Sequence, residues 1–155
     1  MGKRLIATLA GVVAIASIAA GCGGGDTETT ASPTKAEFIE QGDAICKKGE
    51  EKLEEEADEF ATENGIDKNK PTAAQQEEVI EQVVAPALIR QGGELRELPK
   101  PSGGEGEVEA ILDALEEGAE KMEADPKQLL EGTNPVERAS ELARQYGFEE
   151  CGEEG

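Results

Sequence analysis

Thr34-Lys35-Ala36-Glu37-Phe38-Ile39-Glu40-Gln41-Gly42-Asp43-Ala44-Ile45-Cys46 opens the stretch that decides the fold. Thr34 and Glu37 have the spacing of a capping box, in which the cap hydroxyl and the carboxylate three residues on satisfy each other's backbone N–H. From there Phe38, Gly42, Ile45, Gly49, Leu53, Ala57 and Phe60 recur at steps of three and four, which places them on one helical face. Asn64-Gly65 is a stop signal, so the spacing predicts a helix to about Glu63. Gly42 and Gly49 lie on the apolar face, where a missing Cβ lets another helix come close. Cys46 lies at the edge of that face, beside Ile45.

Downstream, the pattern repeats with different punctuation. Thr72 and Gln75 form a second capping box, and Val79, Ile80, Val83, Ala87, Leu88, Leu95 and Leu98 form a second stripe. Pro86 falls inside it and frees the carbonyl of Gln82, so a kink is expected, and Gly92-Gly93 is expected to break the helix. Residues 99–104, Pro-Lys-Pro-Ser-Gly-Gly, make a loop. A third helix is predicted over residues 106–124 on Val108, Ile111, Leu112, Leu115, Ala119 and Met122. Asp125-Pro126 and Asn134-Pro135 each read as an N-cap followed by proline, opening a short turn and then a last helix that includes Val136, Ala139, Leu142, Ala143 and Tyr146. Gly147 and Phe148 have the order of a Schellman motif. No segment alternates with a period of two. The expected fold is all-α: an antiparallel bundle of about four helices, three long and one shorter, with a kinked second helix and one disulfide.

Upstream, Lys3 and Arg4 precede an apolar run over residues 5–20, too short for a stable span of about 20 residues and in keeping with a secretory leader. Ala19-Ala20-Gly21-Cys22 looks like a bacterial lipobox, with alanine where leucine is usual at its first position. That resemblance implies cleavage before Cys22 and a diacylglycerol on its thiol. More than one acyl chain makes such an anchor stable. Residues 23–32 carry no apolar periodicity and form a tether reaching roughly 20 Å. The expected divisions are a leader (1–21), a lipidated N-terminus and tether (22–33), a helical domain (34–152) and an acidic tail (153–155). The location is extracytoplasmic, at the cell membrane.

Three cysteines are an odd count for an exported chain. With Cys22 lipidated, Cys46 and Cys151 remain and have one possible pairing. No CxxC spacing supports a redox role, so the pair reads as a structural disulfide. A staple suits a thin core, since the chain holds three Phe, one Tyr and no Trp. The formal charge is −20, and losing Lys3 and Arg4 with the leader takes it to −22. Such a chain repels nucleic acid and anionic lipid.

Catalytic signals are sparse. There is no histidine, which removes the usual general base and the common zinc ligand. Gly103, Gly104 and Gly106 lack the strand and the Gly-Lys-Ser/Thr of a phosphate loop. Asp67, Asn69 and Glu78 fall at calcium-loop positions one, three and twelve, but Pro71 and Thr72 occupy positions that need a ligand and a glycine. Glu51, Glu55, Glu59 and Glu63 stack like charges at four-residue steps. They are a candidate cation or basic-partner face, or simply a solvated one.

Phe38-Ile39 with Asp43-Ala44-Ile45-Cys46, residues 95–101 (Leu-Arg-Glu-Leu-Pro-Lys-Pro) and residues 146–152 (Tyr-Gly-Phe-Glu-Glu-Cys-Gly) resemble a group of small secreted actinobacterial lipoproteins. The resemblance covers residues 34–152. It implies a helical, disulfide-linked envelope protein and supplies no catalytic residues. The functional expectation is a non-enzymatic interaction module, held to the bilayer through Cys22, for an envelope partner with a basic face. It needs no cofactor and binds no nucleic acid. A low-affinity divalent-cation binder and an acid-dependent hydrolase are the alternatives.

Overall fold

The structure is a computed structural model that describes residues 32–153. The leader, Cys22 and the tether to residue 31 lie outside the described residues, as do residues 154 and 155. The described residues are helical with no strand. Helix α1 spans Lys35–Glu63, α2 Ala73–Val79, α3 Ala85–Glu97, α4 Glu105–Ala124, α5 Lys127–Leu130 and α6 Glu137–Tyr146. A π-helical turn, Ile80–Val84, joins α2 to α3 without a break, and a 3-10 turn, Glu150–Gly152, ends the chain.

Both capping boxes form. Thr34 Oγ1 accepts from the Glu37 N–H at 3.2 Å, and Glu37 Oε2 accepts from the Thr34 N–H at 2.8 Å. Thr72 and Gln75 repeat the exchange at the head of α2. The disruption expected at Pro86 takes the form of the π turn just upstream, where the Ala85 N–H bonds five residues back to the Ile80 carbonyl. Proline leaves a carbonyl without its usual partner, and a π turn is one way a helix absorbs that defect. Gly92-Gly93 does not break the helix, contrary to expectation. The helix continues to Glu97, because Leu95 beyond the pair is buried in the core and holds it in register. Asn134 is not the cap of α6 either. Its side chain accepts from the Val136 N–H at 3.1 Å in a turn, and the helix begins one residue later, so Val136 stands outside it.

Neighbouring helices run antiparallel, as cross-helix pairs show. Between α1 and α3, Gly42 backs onto Leu95 and Glu56 meets Arg90. Between α3 and α4, Ala85 lies in one cluster with Met122 while Arg96 binds Glu109. Between α4 and α6, Gly118 abuts Val136 and Gly104 abuts Tyr146. Arg96 fastens α3 to α4 through Glu109, Asp113 and Glu116 at 2.7–3.1 Å, and Lys100 also pairs with Glu109.

The C-terminal residues close one end of the bundle. Gly147 adopts φ 112°, and the Phe148 N–H reaches the Ala143 carbonyl at 3.0 Å, completing the Schellman motif. This turns Phe148 back onto α1. A Cβ on Gly42 would stand 2.5 Å from the Phe148 ring, so the glycine seats an aromatic ring as well as a neighbouring helix. Phe38, Tyr146 and Phe148 pack with centroids 5.5–6.3 Å apart. The Asp43 carboxylate accepts from the N–H groups of Glu149 and Cys151, each at 3.1 Å. Cys46 and Cys151 form the disulfide, with Cα atoms 5.2 Å apart.

Candidate functional site

The core comes in two parts. One gathers Phe38, Leu95, Val108, Leu112, Tyr146 and Phe148 at the end closed by the disulfide. The other gathers Ile80, Ala85 and Met122, with Val84, Leu88, Leu129 and Val136 against them, at the opposite end. Between them lies a cavity of about 280 Å³. Its walls draw Leu53 from α1, Ala87, Leu88 and Leu95 from α3, Ile111, Leu115 and Met122 from α4, Leu129 from α5 and Ala139 from α6. The Cys46–Cys151 bridge forms part of the wall.

The gap follows from side-chain size. Ala87 and Ala139 face it, where a close-packed bundle would carry larger side chains, whereas Gly49 on the same lining backs closely onto the Gln91 side chain. At about 24 cal/mol per Å³, leaving a closed void of about 280 Å³ empty costs about 7 kcal/mol. That is an upper bound, because the mouth opens to solvent. Polar groups on the lining are few. Among the described residues Ser140 is the sole buried polar or charged side chain, and Gln91 and Asn134 are half-buried. The exposed members of the lining among the described residues are glutamates: Glu50, Glu150 and Glu153. Among the described residues no Lys or Arg lines the cavity. No carboxylate is buried among the described residues, so the cavity holds no enclosed acid pair.

The sequence-predicted site residues separate. Cys46 and Cys151 meet. Glu51, Glu55, Glu59 and Glu63 are all exposed on α1 and outside the cavity. Among the described residues no group of three or more His, Cys, Asp or Glu side chains is placed to hold a metal ion. The neighbouring acids serve the fold. Glu56 receives Arg90 from α3 at 2.7 Å, and this hydrogen bond holds its carboxyl below the ordinary value. Asp58 receives Lys68 at 2.8 Å. In the former calcium-loop candidate, Asp67 accepts from the Asn69 backbone at 3.0 Å in a turn. The Tyr146 hydroxyl is buried with no partner among the described residues, and burial pushes its pKa up, with Glu107 and Glu105 adding to the shift. It lies in the aromatic cluster and away from the cavity lining.

Comparison with known protein families, with curated proteins and with solved structures gives no match.

Proposed function

We propose that this chain is a non-enzymatic binding module, tethered to the outer side of the cytoplasmic membrane through lipid on Cys22, and that the apolar cavity is its ligand site. The cavity carries the reading. It has the near-lower size of small-molecule pockets, a mostly apolar wall from several helices, and a few polar groups at its edge. A domain without histidine, held near a bilayer by a flexible tether, is suited to capture and presentation and offers no obvious route to turnover. The strongly negative charge keeps it off anionic lipid and favours an envelope partner with a basic face.

Titration with a neutral, polarity-sensitive aromatic dye tests this reading. Saturable binding of one dye per chain is expected, and Leu115→Trp, which fills the cavity from α4, should abolish it. No saturable binding by any apolar probe, or binding unchanged in Leu115→Trp, would remove the cavity as the ligand site. Intact-mass measurement of membrane-extracted protein tests the anchor. The acylated chain should begin at Cys22, and a chain retaining residues 1–21 refutes the anchoring.

A further inference from the structure

We infer that the cavity takes the alkyl chain of a cationic single-chain amphiphile, about ten to twelve carbons long, whose head group sits among Glu50, Glu150 and Glu153. The inference deepens the ligand-site reading above and rests on it. Length follows from volume. An apolar cavity of about 150 Å³ holds one benzene, six carbons, so about 280 Å³ holds about eleven. A flexible chain suits the setting, because the gap lies between two core clusters and is walled by α1, α3, α4, α5 and α6.

Head-group charge follows from the mouth. All the exposed lining residues are glutamates, and none of the three makes an ion pair among the described residues. Among the described residues no Lys or Arg lines the cavity, and the cation Arg144 is engaged by the Gly152 carbonyl beside Glu153 at 2.9 Å. An anionic head would meet three like charges at the point where its chain enters. An ammonium would meet three opposite ones, close to an apolar wall that weakens solvent screening. Gln91 and Asn134, half-buried on the lining, add neutral hydrogen-bonding groups, the Asn134 oxygen being already engaged by the Val136 N–H.

The test uses the chain carrying Cys22→Ser, which leaves no attached acyl group to compete. Calorimetry with n-alkylammonium ions, below their micelle-forming concentrations, should give one site. Affinity should rise about fourfold per added methylene and level off near eleven carbons. Decanoate should bind at least about tenfold more weakly than decylammonium, and the triple variant Glu50→Gln, Glu150→Gln, Glu153→Gln should narrow that gap to about threefold or less. On the unmodified lining, methyl resonances of Leu53, Leu88, Leu115 and Leu129 should shift with decylammonium. Equal binding of decanoate and decylammonium would overturn the head-group assignment while leaving the cavity a ligand site. Butylammonium binding as tightly as decylammonium would assign the effect to surface charge and overturn the inference. If the lipidated chain refuses a probe that Cys22→Ser accepts, the occupant is the protein's own acyl group and the inference is wrong. A dimer that dissociates on adding the probe would give the cavity to a second copy, again overturning it. Failure of both the ammonium series and the neutral dye would remove the ligand-site reading itself.

Discussion

Replacing both bridged cysteines, as Cys46→Ala with Cys151→Ala, removes the cross-link without leaving a lone thiol. The two residues are 105 apart in sequence. In the chain-entropy model a loop of that size restricts the unfolded ensemble by about 16 cal/mol/K, or about 4.8 kcal/mol at 25 °C. The folded state loses much less. Asp43 still accepts from the Glu149 and Cys151 N–H groups, and Phe148 still seats on Gly42, so the C-terminal turn stays docked on α1. The effect therefore belongs to the unfolded chain. Chemical denaturation should show a loss of about 4–5 kcal/mol together with a steeper dependence on denaturant, because an uncross-linked chain exposes more surface on unfolding. A domain of about 120 described residues has roughly 6–18 kcal/mol to start with, so the variant should remain folded at low temperature. A loss under about 1 kcal/mol with an unchanged denaturant slope would refute the reasoning. A large loss with local melting around Asp43 would show that the bridge acts on the native state.

Asp43→Ala should cost about 2–4 kcal/mol, since two backbone donors lose a charged acceptor, and hydrogen exchange should quicken first at Glu149 and Cys151. The Glu37 carboxyl is held below its ordinary value by the Thr34 N–H and then the Thr34 hydroxyl. Its folded pKa is depressed, so its contribution is present above the unfolded carboxylate value and fades as pH falls through the lowered one. Thr34→Ala removes the hydroxyl and keeps the N–H, so a carboxyl NMR titration should show Glu37 moving only part of the way upward, and no movement would discredit the hydroxyl as a contributor. Ala87→Leu adds three carbons to the cavity wall and should stabilise the protein by about 2 kcal/mol in thermal or chemical unfolding. Destabilisation of about 1–3 kcal/mol would mean that the wall is already close-packed there.

Helix ends were legible where a capping box or a backbone Schellman turn closes a local hydrogen-bond ring. Thr34, Thr72 and Gly147 are such cases, and each sits where its motif placed it. The disulfide was legible by arithmetic. The breaks inside helices were less so. Gly92-Gly93 looked like an end because propensity is a local quantity, yet Leu95 lies seven residues past Leu88 on the same stripe and is 5% exposed in the core. Tertiary burial outweighs a cost of about 1 kcal/mol per glycine. Pro86 announced a defect but not its form, since a kink and a π turn solve the same missing hydrogen bond. Asp43 gave no signal, because its partners lie over a hundred residues away. The cavity was invisible for a different reason. Leu53, Leu88, Ile111, Leu115 and Met122 all lie on helix faces that read as core. Periodicity reports which way a side chain faces, while the presence of a gap depends on the summed volume of residues from five helices.

That distinction bears on how the fold tolerates its gap. Three restraints converge on one end of the bundle: the Cys46–Cys151 bridge, the Asp43 carboxylate and the Phe148 ring on Gly42. Along its side the Arg96 cluster ties α3 to α4, and Arg90 ties α3 to α1. These ties hold helix positions without filling the space between them. A bundle held only by core packing would shrink onto a void of this size, since empty volume is costly and helices slide easily over small side chains. The cross-link is worth about 4.8 kcal/mol in the unfolded ensemble, comparable with the upper bound of about 7 kcal/mol for the empty space. The staple thus lets a domain with few large side chains keep an unfilled interior, and an unfilled apolar interior beside a charged mouth is what a ligand would find.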